Sequence, residues 1–270
     1  MTQVAVIQMT SGHDVAANLY EAGRLVAQAA DGGAKMVVLP ENFAIMPMND
    51  ADRLRVAENP GQGHIQDFLA ETARRNRIWL VGGTIPLLSA NSEKCRSSCL
   101  VFDDEGNSQG RYDKIHLFDV ELGKSEAYTE SATIEAGDGA VVIDTPYGRL
   151  GLAICYDLRF PELFRQMAAM DMDIVAVPSA FTSITGSVHW EVLVRARAIE
   201  NQCYVLASAQ GGFHTNGRET YGDSMVVDPW GRITNRLSRG PGVVLADIDL
   251  ELQRDIRKNL PSLKHRKLKC

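Results

Sequence analysis

The chain has 270 residues, 45% of them hydrophobic, which suffices for one sizeable core in a single α/β unit spanning 1–270. Its formal net charge of -6 argues against nucleic acid, whose phosphates need a basic face. The one basic cluster, running from Lys264 through Arg266 to Lys269, reads as a solvated tail. No apolar run approaches the roughly 18 residues needed to span a bilayer, and the first residues lack the basic and long apolar regions of a signal peptide. Five scattered cysteines (95, 99, 155, 203 and 270) without an export signal argue for reduced thiols in a cytosol.

In chain order, apolar runs of strand length alternate with amphipathic stretches. Residues 4–8 predict a strand. Residues 18–30 predict a helix, with Leu19, Leu25, Val26 and Ala29 near helical spacing. Residues 36–40 have the uninterrupted apolar character of a strand buried on both faces. A helix over 65–76 and a strand over 79–83 follow. Residues 97–102 and a partner running into Arg111 and Tyr112 flank the turn at 103–107, a hairpin signature. Residues 150–154 predict a strand and 161–170 a helix, with Pro161 suited to its first turn. Further strands are expected at 174–177, 204–209, 224–228 and 243–248, and a helix at 189–202. The alternation predicts a layered α/β fold, and the hairpin a mixed sheet.

Ligands of α/β folds bind beyond the carboxyl ends of strands, so polar residues at those ends come first. Glu41 directly follows the apolar run 37–40. Lys114 stands beside Ile115, Leu117 and Phe118, although lysine is normally a surface residue. Cys155 ends one strand shortly before a helix, the placement of a nucleophile on a sharp turn. Glu130 alone is an ordinary loop acid, and His116 reads as structural. Cys99 and Cys203 fit the ordinary reading of a buried inert thiol, Cys95 that of a polar loop and Cys270 that of the terminus. Cys95 and Cys99 lack the second pair that a zinc site requires. No glycine-rich phosphate loop follows a strand, so no nucleotide cofactor is expected.

Three segments carry a resemblance: Leu39-Pro40-Glu41-Asn42, the run from Tyr112 through Lys114 to Phe118, and the run from Cys155 through Arg159 to Glu162. In this order they resemble the nitrilase superfamily of carbon–nitrogen hydrolases, over essentially the whole chain. The resemblance implies a four-layer α-β-β-α sandwich, which pairs with a second copy into a homodimer. It implies Cys155 as nucleophile, Glu41 as general base, Lys114 as the positive stabiliser, Glu130 as a second acid, and no metal or other cofactor. The backbone N–H of Tyr156 would complete an oxyanion hole. The segments 178–186, 189–191, 195–200 and 225–231 further resemble the Nit branch. That implies a small amide substrate bearing a carboxylate: deaminated glutathione first, with alpha-ketoglutaramate or an N-carbamoyl amino acid as alternatives. A catalytically silent scaffold is the rival from another class. Arg159, Arg195, Arg197 and Arg218 are candidate carboxylate partners, and Tyr156 and Phe181 candidate pocket walls.

Overall fold

Alternation in the first strand sets the layering. Along Thr2–Gln8 successive side chains point to opposite faces. Val4 and Val6 join a core that includes Leu150, Leu152, Val205 and Val226, whereas Ala5 and Ile7 pack with Leu19, Ala22, Leu25 and Val26. One face of this strand therefore meets a second sheet and the other meets helices. The structure, a computed structural model, describes residues 1–49, 51–122 and 126–268.

The first sheet has seven strands, in the order Gly242–Ile248, Thr2–Gln8, Met36–Val38, Trp79–Val81, Cys95–Phe102 and Ile85–Leu88, with Ser108–Asp113 also pairing to Cys95–Phe102. Its middle is parallel: Val4, Ala5 and Val6 lie in register with Met36, Val37 and Val38, and these with Trp79, Leu80 and Val81. The second sheet has six strands, in the order Ile233–Leu237, Ser224–Val227, Tyr204–Ala209, Ile174–Ser179, Gly148–Leu152 and Val142–Thr145. The two sheets face each other, and Ser208 Oγ donates across the gap to the Ile7 carbonyl.

Helices cover both outer faces. Val15–Asp31 starts at Asp14, whose side chain accepts from Ala17 N at 3.1 Å, and it buries Leu19, Leu25, Val26 and Ala29 as the spacing predicts. His64–Asn76 lies beside it. Pro161–Ala169 and Ser183–Asn201 cover the second sheet through Phe164, Met167, Trp190 and Val194. This is the α-β-β-α sandwich the resemblance implied. Among the described residues, no helix is long and apolar enough to cross a membrane.

Three expectations need correction or limits. The helix expected over 189–202 begins earlier, at Ser183, and is capped by Thr182, whose Oγ1 accepts from Thr185 N. Gly186 disguises that first turn, because glycine costs about 1 kcal/mol in a helix. It is needed there because a Cβ would collide with Tyr221. Cys95 is not in a polar loop: it opens the strand Cys95–Phe102 and is fully buried. Cys270 and Lys269 lie outside the described residues, while 264–268 are exposed, as expected of a solvated tail.

Candidate active site

Glu41 follows the short strand Met36–Val38 and is 3% exposed. Its segment is held from both sides: Leu39 N donates to Val81 O at 2.9 Å, and Asn42 N to Thr84 Oγ1 at 2.8 Å. Gly83, at φ +56°, lets the neighbouring turn press against the Pro40 carbonyl, where any Cβ would clash. Gln210 Nε2 reaches the Glu41 carbonyl at 3.1 Å, tying this turn to the second sheet.

Lys114 comes just past the strand Ser108–Asp113, with its N–H on Ser97 O at 3.0 Å and its carbonyl accepting from Gly137 N at 2.8 Å. The side chain runs inward and is only 2% exposed. Its Nζ lies 2.7 Å from Glu41 Oε1, and 3.0 and 2.9 Å from the two Glu130 oxygens. Glu130 opens a 3-10 turn, Glu130–Ala132, and also accepts from Phe118 N at 2.7 Å. Burial works against the lysine's charge, but Glu130, Glu41 and Cys155 outweigh it and hold its pKa above the ordinary lysine value. Burial likewise opposes ionisation of Glu130, and the Lys114 charge with the Phe118 N–H overcomes it, so its pKa is lowered. An ammonium between two carboxylates keeps all three groups paired in the core.

Cys155 arrives from the second sheet. Gly148–Leu152 ends, and the chain turns through the 3-10 segment Cys155–Arg159 before the helix starts at Pro161. Cys155 itself takes φ +47°, a left-handed conformation unusual for a residue with a Cβ. Asp157 anchors the turn. It is fully buried and accepts from Ile154 N at 2.8 Å, from Tyr112 OH at 2.7 Å and from His116 N at 3.1 Å, with His116 Nδ1 at 2.7 Å. Tyr112 and His116 flank Lys114, so one carboxylate ties the cysteine turn to the lysine segment. His116 is thus structural, as expected, and it stacks on Phe160 at 3.7 Å.

The thiol shares the floor of one cavity with Glu41, Lys114 and Ala180. Burial raises its pKa well above the usual cysteine range and the Glu41 charge adds to this, while Lys114 and the Ala180 N–H pull the other way. Burial thus favours a protonated thiol, and Glu41 stands beside it. Such a pair can pass the proton from sulfur to oxygen while the ammonium compensates the charge that develops.

The cavity above these groups is lined by Tyr156, Arg159 and Phe181, the three residues expected to meet substrate. The Arg159 guanidinium lies over the rings of Phe181 and Tyr156, at 5.2 and 5.7 Å. Arg218 also lines the cavity, but Arg195 and Arg197 do not. Arg195 binds Gly231 O and Glu191 on the outer surface, and Arg197 is buried against Leu158 O and Glu200. Sequence reasoning missed Arg53, Tyr128, Thr182 and the Ala180 N–H. Neither of the first two follows an apolar run, and a backbone donor leaves no residue-type signal. Among the described residues, no cluster of His, Cys, Asp or Glu is arranged to hold a metal ion.

A buried Cys–Glu–Lys cluster on an α-β-β-α sandwich defines a class of hydrolases, and comparison places the chain within it. The carbon–nitrogen hydrolase family model matches residues 3–258, and the chain belongs to that family. It is 41% identical over 264 residues to the deaminated glutathione amidase of Yersinia enterocolitica, covering 97% of this chain and 92% of that one. Its fold matches Saccharomyces cerevisiae Nit3, a member of branch 10 of the nitrilase superfamily, with TM-score 0.89 at 34% identity, covering 99% and 97% of the two chains. It also matches the C. elegans NitFhit protein with TM-score 0.90 at 38% identity, spanning 98% of this chain and 65% of that longer one.

Proposed function

We propose that the chain is a cysteine amidase that hydrolyses deaminated glutathione to alpha-ketoglutarate and cysteinylglycine. The observation that carries this is the meeting of Glu41, Lys114 and Cys155, drawn from two sheets, under a cavity lined by arginines. The name of the Yersinia relative supports the choice of substrate.

Glu41 takes the Cys155 proton as sulfur attacks the amide carbonyl. The oxyanion forms against Lys114 Nζ and the Tyr156 N–H, donors of a kind each worth about 100- to 1,000-fold in rate. The C–N bond breaks as Glu41 returns the proton to nitrogen, and cysteinylglycine leaves. Water, deprotonated by Glu41, then attacks the thioester, and alpha-ketoglutarate departs as the proton returns to sulfur. Glu130 keeps Lys114 charged and in place, and Arg159 holds the keto-acid carboxylate between Tyr156 and Phe181. No cofactor enters these steps. The enzyme works in the cytoplasm as a homodimer. An apolar stripe of Ile184, Val188, Val192 and Ile199 on the exposed side of Ser183–Asn201 supports self-association.

The test is a panel of deaminated glutathione, alpha-ketoglutaramate and N-carbamoyl amino acids, reading cysteinylglycine and ammonia. Deaminated glutathione should have the highest kcat/KM. Cys155→Ala should lower it at least about 10,000-fold with an unchanged circular dichroism spectrum. Preference for another panel member would overturn the substrate, and full activity of Cys155→Ala would overturn the mechanism.

A further inference from the structure

Arg218 differs from most arginines that are at least partly buried. Arg96, Arg111, Arg197 and Arg257 each pair with a carboxylate: Glu135, Asp113, Glu200 and Asp173. Arg218 makes no such pair among the described residues. Its Nη2 donates to Ala180 O at 2.7 Å, and its guanidinium lies over the Tyr128 ring at 5.0 Å. Its Nε–H is shielded from water and meets no acceptor. A shielded donor on an unpaired cation is costly unless an anion completes it.

Its position says where that anion would lie. Arg218, Arg53 and Tyr128 line the inner cavity and also line a second groove beside it. The outer wall of this groove is formed by the 46–49 segment and by Asn216 and Gly217, at the tip of a hairpin whose strands are Gly211–Phe213 and Glu219–Tyr221, and it carries no carboxylate among the described residues. Asn216 Nδ2 donates to Pro47 O at 2.8 Å and its Oδ1 accepts from Arg218 N at 3.0 Å, so the two walls and the arginine are fixed together. Arg159, by contrast, lines the inner cavity alone.

We infer that this groove is the leaving-group subsite, in which Arg218 binds the terminal carboxylate of a dipeptide amine. The inference rests on the amidase reading above. Deaminated glutathione carries one carboxylate on each side of its scissile amide. The keto-acid side is short and remains on sulfur beside Arg159. The cysteinylglycine side extends up to about 7 Å as two residues, which takes its terminal carboxylate away from the thiol and toward the groove.

The experiment compares deaminated glutathione with its C-terminal glycinamide, in which that carboxylate is replaced by a neutral amide. The wild type should prefer the acid by at least about tenfold in kcat/KM, as one charge-assisted hydrogen bond warrants. R218Q should bring the ratio close to one. Any general damage from losing the Ala180 bond falls on both substrates and cancels in the ratio. M48E, at an exposed groove position, should also lower the ratio by placing a like charge beside the carboxylate. Equal use of acid and amide by the wild type, or a ratio unmoved by both substitutions, overturns the subsite while leaving the amidase reading intact. Turnover of neither compound by the wild type overturns the amidase reading, and the subsite with it.

Discussion

A single carboxylate, Asp157, holds the reacting groups in register. It has no role in proton transfer in the proposed mechanism, yet it joins the Cys155 turn to Tyr112 and His116, two residues to either side of Lys114. Asparagine in its place presents an NH2 to donors that need an acceptor, so at least one bond is lost. Asp157→Asn should cost about 1–3 kcal/mol of stability in urea unfolding. It should also lower kcat more than it raises KM, because the nucleophile turn is misplaced while the cavity walls remain. Equal kcat in the variant would show that the clamp is dispensable. Glu41, Lys114 and Cys155 were legible in the sequence because each stands beside a conspicuous apolar run, and because three weak motifs occur in one order. Asp157 was not, since a buried acid is recognised only by the donors that surround it, and these come from residues 112, 116 and 154. Arg218 illustrates the same limit: four arginines looked alike as a residue type, and only burial and partners separate them.

Among the elements, the long helices and central strands were readable because one face of each is continuously apolar. Short edge strands were not. Ile85–Leu88 contains Pro86, which argues against a strand, and it survives because it lies at the end of its sheet. Val142–Thr145 is likewise an edge strand, with a single buried residue to mark it. The helix Ser183–Asn201 belongs to two surfaces at once. Its inner face packs Trp190, Val194 and Ala198, and its outer face leaves Val188 and Val192 at 68% and 66% exposure. One glutamate introduced on that stripe, Val192→Glu, should weaken the proposed self-association at least about tenfold in sedimentation velocity while leaving the far-ultraviolet spectrum unchanged. A wild type that sediments as a monomer, or an oligomer that the substitution leaves unaltered, would overturn the proposed contact.

For the molecule as a whole, buried thiols set an alkaline limit. Burial pushes Cys95 up to about 11 and Cys203 up to about 12, and raises Cys99 further. Unfolded thiols ionise near about 8.5. Because the folded pKa values are raised, this contribution is complete below about pH 8.5 and is lost as pH rises through the folded values. The unfolding free energy read from urea titrations should therefore fall from about pH 9 toward 11, by up to about 1.4 kcal/mol per pH unit for each thiol, and the urea midpoint with it. Lys114, also raised, acts in the same direction above about pH 10.4. Cys203→Ala should make the decline shallower; a midpoint constant over that range would contradict the prediction.

The strand Thr2–Gln8 is zipped along its whole length to Gly242–Ile248. On a ribosome adding roughly 5–20 residues per second, the first strand waits tens of seconds for that neighbour. Throughout the wait one flank of the opening segment has no native partner. A product stalled or clipped ahead of the final strand would carry every reacting side chain and still leave that flank open, inviting chaperones or aggregation in place of chemistry.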